Sequence, residues 1–393
     1  MSRLTRYVIS ELLRVFILSL TVMTTVMVLV FLIQEGIREN LTPATILELV
    51  PYTLPTALSF AIPGTILFSA TIVYGRMSAS NEIVALKAMG VSPMKVLWPG
   101  LLIAFGLSLC TVYLNDVAAS WGKKGIYRVV LHSSAKTIYS VLNAQGAFNK
   151  GKLSIVVDDV RGKDLINTHI ESQGSDAAST VVIQAAMARI RVEPETDSLV
   201  FQLQNGRISE KRGTMTLDRH EFPVSLGNVT KKSNSSTSPS NLPLSVMKSE
   251  SALQEKVIAN KQKELALTSS FQLLGGNMIG LTHPTWRTSL YELEKSVDRR
   301  HRLRTVPWRR WANGFSCLCF VIVGAPLAIR FRKFDFWSIF ALCFIPVLIA
   351  YYPLLMFGVS KAKSGELPPY IVWLGNLVMI AIGLWIIHKV EKN

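Results

Sequence analysis

Charged residues are scarce in this chain. Asp, Glu, Lys and Arg make up 17% of its 393 residues, whereas an ordinary soluble domain carries about 25%. Acidic residues are especially few, since 26 Asp and Glu stand against 42 Lys and Arg. The mean hydropathy is +0.33, which excludes a disordered chain and makes a single soluble domain improbable. A nucleic-acid-binding protein would explain the positive charge but not the hydropathy, whereas a membrane protein explains both.

The residue types that hold metals, nucleotides or catalytic nucleophiles are also few and scattered. Cys110, Cys317, Cys319 and Cys343 all lie in apolar segments, and the six His residues show no metal-ligand spacing. The sequence contains no Walker A, GxSxG or HExxH pattern. We therefore expect no catalytic residue, metal or cofactor in this chain, so that any energy for its work comes from another chain.

Six long apolar stretches contain no charged residue. A helix that crosses a bilayer needs about 20 such residues. The stretches are Val15–Ile33, Thr53–Tyr74, Val96–Asn115, Trp311–Ile329, Phe336–Ser360 and Leu367–Ile387. The first is too long for a signal peptide and ends without a cleavage site. The pattern predicts a membrane α-helical protein with three helices in residues 1–115, an inserted domain in 116–310 and three more helices in 311–393.

The distribution of Lys and Arg predicts the orientation. Segments 1–14, 75–95, 330–335 and 388–393 together hold eleven basic residues, whereas the short segments on the other side hold only Arg38, Lys361 and Lys363. Basic residues accumulate on the cytoplasmic side of membrane proteins. Both termini are therefore expected in the cytoplasm and residues 116–310 outside it. Six arginines near the end of that domain do not fit this rule. The rule does not apply to long translocated domains.

The inserted domain is predicted to be rich in β-strands. Four segments combine Val and Ile with turn residues: Leu153–Asp158, Val181–Val192, Leu199–Leu203 and Gly213–Leu217. Short strands of this kind favour a sandwich or a jelly-roll-like fold. The polar run at 231–241 is predicted to be a disordered linker. Helices are expected after it, at Ser249–Leu267 and Tyr291–Arg304.

The loop between the second and third membrane helices contains a short helix, expected at residues 80–89. Ser80 or Asn81 can cap its beginning, Gly90 can end it, and Ser92 with Pro93 can begin the next helix. One interpretation is an amphipathic elbow that rests on lipid headgroups. The other is a docking helix that fits a groove on a soluble partner. The residues alone leave both open.

This loop resembles the coupling-helix signature of the LptF/LptG permease family. The resemblance rests on Ser80-Asn81-Glu82-Ile83 and Ala88-Met89-Gly90-Val91-Ser92. The order of elements agrees along nearly the whole chain, as do Gly324-Ala325-Pro326-Leu327, Tyr351-Tyr352 and Leu367-Pro368-Pro369 with Trp373 and Asn376. The run at 81–83 leans weakly towards LptF.

The resemblance implies the transmembrane half of an ABC transporter in the bacterial inner membrane. Such a permease extracts lipopolysaccharide and passes it through a periplasmic jelly roll to an LptC-like protein and the periplasmic bridge. It implies a heterodimer with the paralogous permease, bound to an LptB-like ATPase dimer that carries ATP and Mg. The residues that would couple to the ATPase are Glu82, Ile83, Leu86, Ala88 and Gly90.

Basic residues expected near the outer face of the inner membrane are candidates for binding the anionic headgroup of the lipid, because the guanidinium group of Arg matches the geometry of phosphate. They are Arg38, Arg299, Arg300, Arg302, Arg304, Arg309 and Arg310. The alternative for the Arg299–Arg310 cluster is a solvated helix face paired with Glu292, Glu294 and Asp298, or a headgroup anchor. Arg38 can likewise pair with Glu35 or Glu39. An ATPase-coupled mechanotransmission protein and a membrane-anchored periplasmic scaffold without transport are the alternative functions.

Overall fold

The computed structural model describes residues 3–39, 41, 43–150, 153–173, 180–193, 198–210, 213–225, 238–276, 284–331 and 336–392. The chain divides into two compact units. One comprises residues 1–29, 54–120 and 242–393, and the other comprises residues 30–53 and 121–241.

Six helical segments among the described residues are long and apolar enough to cross a membrane, which confirms the six predicted spans. The first four are formed by α1 (Arg3–Glu39), α2 (Pro43–Ala79), α4 (Pro93–Val117) and α7 (Pro284–Arg330). The fifth consists of α8 (Phe336–Pro346) and α9 (Tyr352–Lys363), and the sixth of a 3-10 turn at Pro369–Trp373 and α10 (Leu374–Lys392). Lipid offers backbone groups no hydrogen bonds, so helices satisfy them internally.

A π-helical turn at Val347–Tyr351 interrupts the fifth span. It lies between Pro346 and Pro353, two prolines that the sequence predicts to kink this helix. Pro353 has no N–H to donate to the preceding turn, and a wider turn is one way in which a helix accommodates such a missing donor.

The helices of the first unit pack closely because small residues lie where they meet. A Cβ atom on Gly314 of α7 would collide with Val112 of α4. The buried Asn376 side chain of α10 donates a hydrogen bond from Nδ2 to the carbonyl of Ala312 at 3.0 Å. Small residues and buried amides are the usual means of helix association in membranes, and the Asn376 bond joins α10 to α7 in this way.

The second unit contains one antiparallel sheet packed against a helix. The strands are β1 (Ala147–Lys150), β2 (Leu153–Val156), β3 (Asp159–Arg161), β4 (Asp164–Gln173), β5 (Thr180–Glu193), β6 (Ser198–Glu210) and β7 (Gly213–Ser225). Their order is β1-β2-β4-β5-β6-β7, with β3 paired to β4. The β-rich prediction is therefore confirmed, while the jelly-roll arrangement stays a prediction.

Helix α5 (Lys123–Gln145) was not predicted from the sequence. A π-helical turn at Ala118–Gly122 connects it to α4. Ile138 and Leu142 of α5 belong to the same buried apolar cluster as Ile183 of β5. The Tyr139 hydroxyl donates to the Lys163 carbonyl at 2.8 Å and accepts from the Ile190 amide at 2.9 Å, and its burial raises the pKa of Tyr139. The helix therefore fixes the sheet through both apolar and polar contacts.

Two helices follow the predicted linker in the sequence. Helix α6 (Leu244–Leu274) and α7 are both longer than the segments predicted at 249–267 and 291–304. Residues 231–237 of the predicted linker lie outside the described residues. Pro239–Asn241 forms a 3-10 turn in which Pro239 and Asn241 are buried, so the expectation of disorder was wrong for this last part.

Candidate functional site

The short helix α3 (Glu82–Ala88) lies in the loop between α2 and α4 and is shorter than the predicted residues 80–89. Neither predicted side-chain cap forms at its beginning. Asn81 has the left-handed backbone conformation, and no side-chain hydrogen bond caps the helix there. Ser80 instead donates its hydroxyl to the Glu82 carboxylate at 2.9 Å. Glu82 is therefore held beside the first turn, where a carboxylate interacts favourably with the helix dipole.

The end of α3 agrees with the sequence prediction. Gly90 has φ of +81°, a conformation that glycine adopts without strain. The amides of Gly90 and Val91 donate to the carbonyls of Lys87 and Leu86 at 2.9 and 3.0 Å, which is the Schellman arrangement. Ser92 then accepts a hydrogen bond from the Met94 amide at 3.3 Å and caps α4. Two tight connections therefore set the direction of α3.

The side chains of α3 divide into an inward and an outward group. Ile83 is buried and Leu86 packs against the apolar core of the first unit. Val84 is 46% exposed and Met89, which follows the helix, is 70% exposed. Ala88 and Gly90 are also exposed, and Glu82 is half-buried. Of the five residues expected to couple to an ATPase, Ile83 and Leu86 thus anchor α3 to its own chain.

Three of the arginines between residues 299 and 310 of α7 are paired with carboxylates. Arg310 is 4% exposed and forms an ion pair with Asp116 at the end of α4. Arg304 pairs with Glu255 of α6, and Arg299 lies 3.9 Å from Glu250 of the same helix. Arg310 also donates from Nη2 to the Leu242 carbonyl at 2.7 Å. These three side chains therefore join α7 to α6 and α4.

Arg302, Arg309 and Lys363 form a second group, which we call the cation cluster. Among the residues that the structure describes, none of the three has a carboxylate within 4.0 Å. Arg302 and Arg309 are two turns apart on one face of α7, and Arg309 is half-buried whereas Arg302 is exposed. The positive charges of both arginines act on the Lys363 ammonium. Like charges gathered without a counterion favour the binding of an anion.

A hydrogen bond between two helices brings the cation cluster together. The Thr305 hydroxyl of α7, which is buried, donates to the Ala362 carbonyl of α9 at 3.1 Å. Arg302 and Arg309 flank Thr305 on α7, and Lys363 follows Ala362 in α9. The neighbouring Lys361 is paired instead with Glu366, and Lys361 together with Ser364 holds the pKa of that carboxyl below its usual range. Lys361 is therefore already neutralised, while Lys363 is not.

Arg300 and Arg38 belong to neither of these two groups. The Nε atom of Arg300 is buried and has no hydrogen-bond partner among the described residues. Arg38, in the second unit, lies 3.8 Å from Glu35 on α1, as the sequence allowed.

One family profile matches the chain over residues 6–389, and its description is lipopolysaccharide export system permease LptF/LptG. The chain belongs to the LptF/LptG family. No curated protein matches it. The members of the family are components of a transporter and not catalytic enzymes, so this LptF/LptG protein is a multi-pass inner-membrane component of lipopolysaccharide export. The match covers both paralogues, and the leaning towards LptF stays a prediction.

Three residues of the two candidate sites in this LptF/LptG chain could not be singled out from the sequence. Val84 and Met89 are apolar like Ile83 and Leu86, and a seven-residue helix shows too little periodicity to tell which of these four residues face outward. Lys363 was counted only as a loop charge. Sequence distance would have given the wrong partner, because Glu366 lies three residues from Lys363 and five from Lys361, yet it pairs with Lys361.

Proposed function

We propose that this chain is the transmembrane permease subunit that extracts lipopolysaccharide from the inner membrane and passes it to the periplasmic bridge toward the outer membrane. The observation that carries the proposal is the LptF/LptG profile match over residues 6–389. The six spanning helices and the antiparallel sheet agree with the element order expected of such a permease.

In this proposal both termini lie in the cytoplasm and the inserted domain lies in the periplasm. The support is the excess of eleven basic residues over three in the short flanking segments. This orientation puts α3 on the cytoplasmic face, where a soluble ATPase can reach it. It also puts the cation cluster near the outer surface, where the phosphorylated headgroup of lipopolysaccharide lies.

Helix α3 would dock in a groove of an LptB-like ATPase dimer, which would bind ATP and Mg. Val84 and Met89 supply the exposed apolar contacts of this surface, and Glu82 with Ala88 and Gly90 borders them. Ile83 and Leu86 support the surface from behind by packing in the core. An exposed amphipathic helix with apolar anchors is a recurring docking element.

The cation cluster would hold a phosphate of the lipopolysaccharide headgroup. Arg302 and Arg309 can each present a planar fork of donors to phosphate, and Lys363 adds a point charge. Arg299, Arg304 and Arg310 would have a structural role, because each is already paired with a carboxylate. The paralogous permease and an LptC-like protein would complete the transporter, the latter receiving the lipid through the periplasmic sheet domain.

The docking surface can be tested with two valines of almost equal exposure. Val84→Asp places a charge on the α3 surface, and Val156→Asp places the same charge on β2, where the valine is 45% exposed. We expect the ATPase to co-purify with the Val156→Asp complex at the wild-type ratio and to be lost from the Val84→Asp complex. Equal recovery of the ATPase with both variants would refute the docking surface and favour a scaffold without an ATPase.

The phosphate site can be tested with matched lysines and arginines. Lys363→Ala and Arg302→Ala should weaken lipopolysaccharide binding to the complete complex, whereas Lys361→Ala and Arg304→Ala should leave it close to wild type. The difference in lipopolysaccharide affinity between these two pairs of variants should become smaller when the headgroup phosphates of the lipid are removed. Equal losses in all four variants, or the same loss with dephosphorylated lipid, would contradict the site. ATPase co-purification without any lipopolysaccharide extraction would instead indicate a mechanotransmission protein.

A further inference from the structure

The last turn of α2 and the short helix α3 each donate a hydrogen bond to a helix of the C-terminal half of the chain. The Ser78 hydroxyl, in the last turn of α2, donates to the Ile329 carbonyl of α7 at 2.7 Å. The Lys87 ammonium, in the last turn of α3, donates from Nζ to the Val390 carbonyl of α10 at 3.2 Å. These contacts join residues that are 251 and 303 positions apart in the sequence.

Both acceptors belong to the last turn of their helices. Helix α7 ends at Arg330 and α10 ends at Lys392. The last four carbonyls of a helix have no partner within it, and a cation near that end interacts favourably with the helix dipole. The Lys87 contact therefore satisfies an acceptor that α10 cannot satisfy itself. Because Ile329 and Val390 are largely buried, the contacts lie at the edge of the apolar core.

Lys87 differs in its contacts from the outward residues of the same short helix. Val84 and Met89 are exposed, whereas Lys87 is half-buried and bonded to α10. Ile83 and Val390 belong to the same buried cluster, so apolar packing supports the polar contact. One side of α3 is thus available to a partner, while the other side is joined to the sixth membrane helix.

We propose that Lys87 is a positioning residue that makes α10 move with α3 during the nucleotide cycle of the partner ATPase. This inference rests on the proposed function, since it takes α3 to be the helix that the ATPase moves. Helices α2 and α4 are covalently connected to α3 by short segments, so they move when α3 moves. Helix α10 has no such nearby covalent connection to α3, and among the described contacts the Lys87 bond supplies the polar link.

The inference can be tested with spin labels on α8 and α10 in the complete complex. Ile345→Cys and Leu384→Cys are exposed positions, and the exposed Cys110 would be replaced by Ser. The distance between the labels is measured without nucleotide and with ATP trapped by vanadate. We expect a nucleotide-dependent shift in the parent, its loss in Lys87→Met, and its return in Lys87→Arg. Lys95→Met, at an exposed position in the first turn of α4, should keep the shift.

Two results would overturn the inference. One is a nucleotide-dependent change in the label distance that is as large in Lys87→Met as in the parent, or that is absent from both proteins. The other is loss of the ATPase from Lys87→Met, since Lys87 would then belong to the docking surface. The distance measurement needs no lipopolysaccharide. A parent that shifts but extracts no lipopolysaccharide would therefore refute the proposed cargo and leave the role of Lys87 supported.

Discussion

Replacing Arg310 by Ala tests whether this arginine stabilises the helix packing or binds the substrate. Arg310 is 4% exposed and is bonded to Asp116 and to the Leu242 carbonyl. Asp116 also accepts a hydrogen bond from the Leu244 amide at 2.8 Å. The variant Arg310→Ala would leave the Asp116 carboxylate without its cation and the Leu242 carbonyl without its donor.

The expected loss of stability is about 3 kcal/mol. Breaking a buried ion pair from one side costs about 3–5 kcal/mol, and each hydrogen bond to a charged group contributes about 1.5–3 kcal/mol. Asp116 is 27% exposed and keeps its bond to Leu244, so the lower end applies. The exposed pair of Arg304 with Glu255 should contribute about 1 kcal/mol or less. Arg304→Ala is therefore the matched control.

The assay is thermal unfolding in lipid nanodiscs, followed by tryptophan fluorescence. At about 2 °C per kcal/mol for a chain of this size, Arg310→Ala should lower Tm by about 6 °C and Arg304→Ala by about 2 °C or less. The combined variant Asp116→Asn with Arg310→Gln keeps hydrogen-bonding groups without charge, so it should recover part of the loss and still export lipopolysaccharide. A stable double variant that no longer exports would refute the structural assignment, as would equal Tm values for the two single variants.

Two further predictions concern glycines. Gly90→Ala should weaken ATPase association because a side chain at φ +81° costs about 1–2 kcal/mol and disturbs the end of α3; unchanged affinity in a pull-down titration would contradict this. Gly314→Ala should lower Tm because its Cβ would collide with Val112, whereas Gly106→Ala, where the Cβ meets nothing within 4 Å, should not; equal Tm values would show that α4 and α7 can separate at no cost.

Most of the membrane architecture could be predicted because a bilayer imposes a simple rule on sequence. The charge-free stretches coincide with parts of α1, α2, α4 and the later spanning helices. Helix α5 was missed because Lys123–Gln145 mixes polar and apolar residues and so gives no strong hydropathy signal. Several of its apolar residues are buried against a sheet that follows later in the sequence. Strand pairing likewise depends on contacts between segments, which composition does not reveal.

The two candidate sites were predictable to different degrees. The turn at Gly90 and the cap at Ser92 are local, so their residue types were sufficient. The roles of the arginines could not be predicted from the sequence, because they depend on which carboxylate each side chain contacts. The sequence offered Glu292, Glu294 and Asp298 as partners for the arginine cluster, yet the observed partners are Glu250, Glu255 and Asp116. Tertiary packing of α6 and α4 on α7 selects them.

Helix α7 connects the cation cluster to the end of α2 that leads into α3. Arg309 and Ile329 are twenty residues apart on this helix, which corresponds to about 30 Å and to the thickness of the hydrocarbon core. The Ser78 hydroxyl bonds to α7 at Ile329, and the Thr305 hydroxyl bonds α7 to α9 beside Lys363. A displacement of the C-terminal end of α7 should therefore move Arg309 relative to Lys363, unless the helix bends at Pro326.

Ser78→Ala is thus expected to reduce the effect of nucleotide on phosphate binding by the cation cluster. The measurement compares the affinity of the complete complex for lipopolysaccharide without nucleotide and with ATP and vanadate. Ser80→Ala is the matched control, because the Ser80 hydroxyl bonds only within its own segment, to Arg76 and Met77 carbonyls and to Glu82. A nucleotide-dependent change in affinity that is as large in Ser78→Ala as in Ser80→Ala would show that α7 does not connect the two sites.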